Sequence, residues 1–184
     1  AGGEVSAAWR PQEALGTRVL DQTIRNVNRN RTSPVRQGNG KKAKVSFALT
    51  TGDLPDNQQF NETNWFLDVM KGEPVDPFSG VKVEAGSVCG SPAKGPLTQA
   101  EADQLNQLVT ERRYTGVQDY SDYDVPSRQG GFWDPDQAPP VTPTSLYAAF
   151  PRYPGLLDAA QRPFDPEGLK LPWYVTRGNH DGLI

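Results

Sequence analysis

Residues 44–57 read Lys44-Val45-Ser46-Phe47-Ala48-Leu49-Thr50-Thr51-Gly52-Asp53-Leu54-Pro55-Asp56-Asn57, and this stretch decides the expected fold. The part up to Thr51 is mostly apolar and partly β-branched, which predicts a short buried strand. The part that follows combines a glycine, a proline and several polar side chains, which indicates a turn and a loop. Polar side chains that come directly after a buried strand are typical of a ligand site in an α/β protein.

A helix and a second strand complete the pattern around that stretch. Residues 58–70 predict a helix, because their apolar side chains recur on one face until a glycine and a proline end it. Residues 171–176, Leu171-Pro172-Trp173-Tyr174-Val175-Thr176, predict a second buried strand. This strand also runs into a polar turn, Gly178-Asn179-His180-Asp181-Gly182. The order of strand, polar loop and helix predicts the α/β class.

The other segments are predicted from periodicity, capping and turn residues. Residues 11–29 repeat apolar side chains at helical spacing and start with a proline, which suits a first helical turn. Thr98-Gln99-Ala100-Glu101 is a capping box that opens another helix, and residues 155–162 predict a short one. The turn residues of 33–43 predict a loop, and a short hairpin is considered around Val81–Val83.

Composition excludes several classes of protein. The 184 residues include 18 Gly and 17 Pro, together about 19% of the chain, against roughly 12% in an average protein. This excess excludes a helical bundle and favours long irregular segments. No apolar run reaches the roughly 20 residues of a membrane-spanning helix. The single Cys excludes an internal disulfide and a cysteine-based zinc site within this sequence, and the single His cannot by itself form a His-rich metal site.

Charge and aromatic residues are unevenly distributed. Residues 1–44 carry nine basic and three acidic side chains, although the whole chain has a net charge of −3. Such a basic stretch is compatible with nucleic-acid binding or with a solvated helix face and linker. The stretch has no interleaved platform of several aromatic residues to stack on bases, so we predict no nucleic-acid partner. Residues 114–154 are rich in aromatics, which favours an ordered loop packed by its own side chains over a stacking surface for a ligand.

The two polar motifs are the candidate site. Gly52-Asp53-x-x-Asp56-Asn57 follows the first predicted strand, and Gly178-Asn179-His180-Asp181 follows the second. Taken singly, each is compatible with an ordinary turn or helix cap, because Gly adopts positive φ and Asp caps helices. Taken together, they resemble the Gly-Asp-x-x-Asp and Gly-Asn-His-Asp/Glu motifs of the calcineurin-like metallophosphoesterases. The surrounding residues resemble a bacterial, mainly actinobacterial, branch with a long insertion between these motifs.

This resemblance implies a layered αββα core in which the strands ending at Thr51 and Thr176 lie close together. It also implies one incomplete metallophosphoesterase domain over residues 1–184, with residues 71–170 as a loop-rich insertion. The family's Asp-x-His motif and its later His motifs have no match in this sequence. We therefore expect an internal fragment of a larger enzyme, inactive by itself, whose open sheet edges favour self-association.

The resemblance also implies a role for each matching residue. Asp53 corresponds to the carboxylate that bridges two divalent metal ions, and Asn179 corresponds to an amide ligand of one of them. His180 corresponds to the general acid that protonates the leaving group. Asp56 corresponds to the carboxylate that hydrogen-bonds the His180 imidazole, and Asp181 is assigned to local structure. The implied cofactor is a pair of Mn, Fe, Zn or Mg ions.

The implied activity is metal-dependent hydrolysis of a phosphate monoester or diester by a metal-activated hydroxide. The branch that the sequence resembles implies a bacterial protein that is secreted or belongs to the cell envelope. An alternative remains open, because so few metal ligands are present. In this alternative the phosphoesterase scaffold is a non-catalytic module, and its aromatic insertion binds a partner or a glycan.

Overall fold

Helices and short strands alternate along the chain in the computed structural model, which describes residues 11–55, 59–87, 95–114, 135–136, 151–179 and 181. A 3-10 helix over Pro11–Leu15 leads into α1 (Gly16–Arg29), and β1 (Thr32–Arg36), β2 (Lys42–Lys44) and β3 (Ala48–Thr50) follow. The remaining elements are α2 (Phe60–Lys71), α3 (Gln99–Thr110), α4 (Leu156–Ala160) and β4 (Trp173–Val175). This mixture of helices and small sheets agrees with the α/β class expected from the sequence.

The chain divides into two compact units, which we call the sheet unit and the helical unit. The sheet unit comprises Gly16–Pro77 with Pro163–Ile184, and the helical unit comprises Ala1–Leu15 with Phe78–Arg162. The helices α1 and α2 and the strands β1 to β4 belong to the sheet unit, whereas α3 and α4 belong to the helical unit. Among the residues described above, no helix combines the length and the apolar character needed to cross a membrane.

The predicted helix over 11–29 is confirmed, with 3-10 geometry up to Leu15 and α-helical geometry from Gly16. Apolar side chains at helical spacing hold it against the rest of the sheet unit. Ile24 is buried in the core, and Leu20 packs against the same cluster from a half-buried position. The helix therefore forms for the reason its periodicity indicates, which is the burial of one face.

Two polar side chains share the buried face of α1. Asp21 is only 4% exposed and Asn28 only 8%. The Asp21 carboxylate accepts a hydrogen bond from the backbone N–H of Glu167 at 2.9 Å, and the Asn28 amide donates one to the carbonyl oxygen of Gly168 at 2.8 Å. Buried polar groups are retained only with such partners. These hydrogen bonds attach α1 to the loop that leads into β4.

The segment 33–43 is a β-hairpin, not the loop predicted from its turn residues. β1 and β2 pair in antiparallel fashion, and at the tip the N–H of Gly40 donates to the carbonyl oxygen of Gln37 at 2.9 Å. Pro34 lies within β1, where a two-stranded hairpin tolerates it, because an edge strand needs no donor on its outer side. The turn residues therefore identify only the tip of the hairpin.

α2 supplies most of the core of the sheet unit and confirms the helix predicted over 58–70. Gln59 and Glu62 form a capping box at its start, and Gly72 ends it in the left-handed conformation, at φ 84°. The apolar face of the helix is buried, and each fully buried apolar side chain contributes about 1.5–3 kcal/mol to folding. The core cluster of buried residues consists of Ile24, Phe66, Val69, Met70 and Val75.

β3 and β4 form a two-stranded parallel sheet. Ala48 lies opposite Trp173, and Thr50 lies opposite Val175. Trp173 packs edge to face on Phe66 of α2, with ring centroids 6.4 Å apart and ring planes at 87°. The helix α2 therefore covers one face of this sheet, and the register of the two strands brings their carboxyl ends together.

The opposite face of the β3–β4 sheet is open to solvent. Phe47, Leu49 and Tyr174 are 55%, 53% and 59% exposed. The strands predicted over 44–51 and 171–176 exist only as the shorter β3 and β4, and Lys44 belongs to β2 instead. The prediction that these strands are buried is wrong, because the described side chains on this face are exposed. Parallel sheets are usually covered on both faces, and among the described residues α2 covers only one.

The helical unit confirms the capping box predicted for α3. The N–H of Glu101 donates to the Thr98 hydroxyl at 3.3 Å, and the N–H of Thr98 donates to the Glu101 carboxylate at 2.8 Å. The short helix predicted over 155–162 is also confirmed, as α4. The Asp158 carboxylate of α4 forms an ion pair with Arg113 at 2.9 Å. This contact links the segment after α3 to α4.

The hairpin considered around Val81–Val83 is absent, since the described residues 71–87 contain no strand there. The backbone of Val83 pairs instead with the Asn106 side chain of α3, which accepts its N–H and donates to its carbonyl oxygen, both at 2.8 Å. A side-chain amide thus replaces the neighbouring strand that the sequence suggested. Most of the aromatic stretch, over 115–134 and 137–150, lies outside the described residues.

Candidate metal centre

The carboxyl ends of β3 and β4 bring the two predicted motifs to one edge of the sheet. Thr50 lies opposite Val175, and the N–H of Thr176 donates to the carbonyl oxygen of Thr50 at 2.9 Å. Neighbouring strands in a sheet are only about 4.8 Å apart. The expectation that the two strand ends lie close together is therefore confirmed, and the loops after them are in contact.

Gly52 and Gly178 allow the two loops to touch. Gly52 has φ +104°, and a β-carbon there would overlap the backbone of Gly178 and lie 2.7 Å from the carbonyl carbon of Arg177. At Gly178 a β-carbon would overlap the Asp53 carboxylate and lie 2.8 Å from its Cγ atom. No larger residue fits at either position without moving the backbone or the Asp53 side chain.

The carboxylate of Asp53 rests in the space that the missing side chain of Gly178 leaves. Asp53 is exposed and has a positive φ of 56°, a conformation that Asp adopts more readily than most residues with a β-carbon. Asn179 follows Gly178 directly and is also exposed. Both residues predicted as metal ligands are therefore located at the same corner of the sheet.

Asp181 joins the two loops through its carboxylate. Its Oδ2 atom accepts the N–H of Asp53 at 2.8 Å and the N–H of Gly178 at 2.6 Å, and its Oδ1 atom accepts the N–H of Leu54 at 2.7 Å. The hydrogen bond from Gly178, followed by those from Leu54 and Asp53 and by the charge of Arg177, holds the pKa of the Asp181 carboxyl below its ordinary value, against the opposing effect of desolvation. The Asp181 side chain is thus an ionised carboxylate that accepts hydrogen bonds from backbone N–H groups of both loops.

Two of the predicted site residues, His180 and Asp56, lie outside the described residues. Their assignments as general acid and as its hydrogen-bond partner stay predictions. Asp181 was assigned to local structure from its place after the histidine, and the structure gives that role a definite form. No sequence signal indicated its partners, because Asp53 and Leu54 are far from it along the chain.

The donor atoms at the corner match divalent metals in type. A carboxylate oxygen from Asp53 and an amide oxygen from Asn179 are hard ligands, suited to Mn, Mg or Fe and tolerated by Zn. Within the described residues no group of three or more His, Cys, Asp or Glu side chains is arranged to hold a metal ion. A metal pair at this corner therefore needs ligands in addition to those two.

Comparisons with known proteins add no relative from which a role for these residues follows. No family model matches the chain, no curated protein matches its sequence, and no solved structure matches its fold.

Proposed function

We propose that the chain is part of a metal-dependent phosphoesterase of the calcineurin-like type. The observation that supports this most strongly is the parallel pairing of β3 with β4, which places Gly52-Asp53 beside Gly178-Asn179. The two motifs are separated by more than 120 positions in the sequence. They meet at the carboxyl ends of adjacent parallel strands, which is where ligand sites of α/β proteins are typically found.

In this proposal the side-chain oxygens of Asp53 and Asn179 would hold the metal ions. When bound, two divalent cations stabilise negative charge on the phosphoryl group and supply hydroxide near neutral pH. His180 donates a proton to the leaving oxygen as its bond to phosphorus breaks. In this role Asp56 would accept a hydrogen bond from the His180 ring and orient the imidazole.

We also propose that the β3–β4 sheet is part of a larger layered αββα core. Its two strands, with α2 on one face, leave Phe47, Leu49 and Tyr174 exposed on the other. A covered parallel sheet would bury these side chains. The additional metal ligands would come from an Asp-x-His motif and later His motifs of a longer parent protein, because the 184 residues contain only one His.

The test is hydrolysis of p-nitrophenyl phosphate and bis-p-nitrophenyl phosphate by the intact parent protein with Mn²⁺. We expect metal-dependent turnover in the wild type and in Asp165→Asn, which makes the same chemical change at an exposed site of the sheet unit. We expect Asp53→Asn to lose it, because an amide bridges two cations poorly. Equal inactivity of wild type and Asp53→Asn across metals and both substrates would reject the proposal.

The same material decides between this proposal and a non-catalytic binding module. Metal analysis of the parent protein measures the number of divalent ions bound per chain. Stoichiometric metal together with turnover excludes the non-catalytic alternative. Absence of both metal and turnover favours it. For the 184-residue chain alone, we expect no turnover with either substrate, because two oxygen ligands are too few to hold a metal pair.

A further inference from the structure

The Asp181 carboxylate has an unusual set of partners for a side chain at a candidate metal centre. It accepts three backbone N–H groups, those of Asp53, Leu54 and Gly178, at 2.8, 2.7 and 2.6 Å. Two of these donors follow β3, and the third follows β4. The carboxylate therefore joins the two loops. Leu54 and Asp53 are 127 and 128 positions away from Asp181 along the chain.

This set of partners argues against Asp181 as a metal ligand itself. Both of its oxygens face backbone N–H groups, and Oδ2 accepts from two of them. Three of its roughly four lone-pair positions accept N–H groups, which leaves about one position for any other partner. By its chemistry Asp181 is thus suited to hold neighbouring residues in place.

The residue most affected by this arrangement is Asp53. Its left-handed backbone, at φ 56°, is disfavoured for a residue with a β-carbon and needs support from its surroundings. The Asp181 carboxylate binds the N–H of Asp53 and the N–H of the next residue, Leu54. It also binds the N–H of Gly178, against which the Asp53 carboxylate rests.

We propose that Asp181 is the positioning residue of this site: by binding three backbone N–H groups it maintains the left-handed conformation of Asp53 and directs the Asp53 carboxylate to the Gly178-Asn179 turn. The conformational part of this inference stands on the hydrogen bonds alone. Its consequence for metal binding rests on the proposed function. Residues that orient metal ligands through hydrogen bonds typically change metal affinity by 10- to 100-fold when they are replaced.

The conformational part is tested by NMR on the 184-residue chain, without metal, in wild type, Asp181→Asn, Asp181→Ala and the matched control Asp165→Asn. In Asp181→Ala we expect the amide hydrogens of Asp53, Leu54 and Gly178 to exchange at least about 10-fold faster. The φ-dependent coupling of Asp53 should move away from its left-handed value. In Asp181→Asn the remaining side-chain oxygen can still accept two of the three N–H groups, so we expect faster exchange at only some of these three amides. The control should match wild type.

Unchanged exchange and unchanged Asp53 coupling in Asp181→Ala would overturn the inference. General unfolding is separated by the thermal midpoint and by the amides of α1 and α2, which belong to the same sheet unit as Asp181. If these also change to the same extent, the role of Asp181 is merely structural and the positioning inference is again rejected. This arm gives its answer whether or not the parent protein is a phosphoesterase.

The metal part is tested by titrating Mn²⁺ into the intact parent protein and measuring the dissociation constant by calorimetry. We expect Asp181→Ala to weaken Mn²⁺ binding by about 10- to 100-fold and Asp165→Asn to leave it unchanged. A normal Mn²⁺ affinity in Asp181→Ala, with the NMR changes present, would reject the metal consequence. Absence of Mn²⁺ binding in the wild-type parent would reject the proposed function, while the NMR result still decides the conformational role.

Discussion

The Oδ1 atom of Asp181 accepts a hydrogen bond from the backbone N–H of Leu54 at 2.7 Å, across 127 positions of sequence. Leu54 lies in the loop after β3, and Asp181 lies in the loop after β4. Parallel pairing of the strands brings these loops together, and the carboxylate then satisfies N–H groups that the short sheet leaves without strand partners. Strand register therefore brings the two loops of the corner together, and side-chain hydrogen bonds join them.

Gly178 is the position where a small change should disturb this corner most. In Gly178→Ala the new β-carbon meets the Asp53 carboxylate and lies 2.5 Å from the Asp53 backbone nitrogen. We expect a loss of about 1–3 kcal/mol in the free energy of unfolding, as for other overpacked sites, and displacement of the Asp53 side chain. Urea denaturation measures the first effect. Gly38→Ala is the control, because nothing lies within 4 Å of a β-carbon there. Equal stability of the two variants would contradict the tight contact.

Asn28 tests the polar part of the α1 interface. Its amide donates to the carbonyl oxygen of Gly168 at 2.8 Å, and its side-chain oxygen accepts the N–H of Lys170 at 2.9 Å. Asn28→Ala leaves both backbone groups without these partners, so we expect a loss of about 1–3 kcal/mol in the free energy of unfolding. Asn26→Ala, an exposed position on the same helix, should cost much less. Chemical denaturation of both variants measures the difference in the free energy of unfolding. Equal losses would show that the buried hydrogen bonds of Asn28 do not stabilise the fold.

The contact between Phe66 and Trp173 should hold α2 against β4. Phe66 is 8% exposed and packs edge to face on Trp173 at 6.4 Å. Phe66→Ala is expected to cost about 3–5 kcal/mol, as removal of a buried aromatic ring does. Phe60→Ala on the same helix is the matched control, since Phe60 is 83% exposed. Denaturation curves for the two variants that overlap would contradict the assigned core.

Glu167 predicts a pH dependence of stability. The hydrogen bond from Lys170, followed by that from Asn28 and by the charges of Lys170 and Arg25, holds the pKa of Glu167 below its ordinary value of 4.5, against desolvation. A carboxyl whose pKa is lower in the folded state stabilises the protein above its unfolded pKa. That contribution disappears as the pH falls through the folded pKa.

The measurement is the free energy of unfolding of wild type and Glu167→Gln between neutral pH and pH values below 4.5. Wild type should be the more stable at neutral pH, and the difference should shrink in acid. Glu73→Gln, at an exposed glutamate of the same unit, corrects for the general effect of removing a carboxylate. A difference between wild type and Glu167→Gln that stays constant or grows in acid would contradict the assignment.

The elements with local signals were predictable from sequence, and those that depend on distant partners were not. The capping box at Thr98 and the apolar face of α2 each depend on residues within a few positions, so their helices were predicted correctly. The hairpin over 33–43 was missed because Pro34 and the glycines dominate its composition, whereas its strands exist only through pairing. The burial of Asp21 and Asn28 has only a weak signal in the sequence, which is their i, i+7 spacing on the face of Ile24. Polar residues at this spacing ordinarily predict a solvent-exposed face, because the loop that buries them cannot be recognised from the helix sequence.

The candidate site divides in the same way. The two motifs indicated which residues to consider, and the family resemblance that they carry implied that the strand ends should meet. A local structural role was predicted for Asp181, but its partners were not, because they are backbone N–H groups and every residue except proline carries one. The exposure of Leu49 and Tyr174 could not be predicted either, because the sequence pattern of an apolar strand is the same whether or not a second layer covers it.

We proposed that the corner between Asp53 and Asn179 holds metal in a longer parent protein. The most direct test is anomalous X-ray scattering from a crystal of that proposed parent protein grown with Mn²⁺. We expect two peaks about 4 Å apart, both within about 2.5 Å of an Asp53 carboxylate oxygen and one of them equally close to the Asn179 amide oxygen. Saturating Mn²⁺ with no anomalous peak at this corner, or with peaks only elsewhere on the protein, would contradict the account.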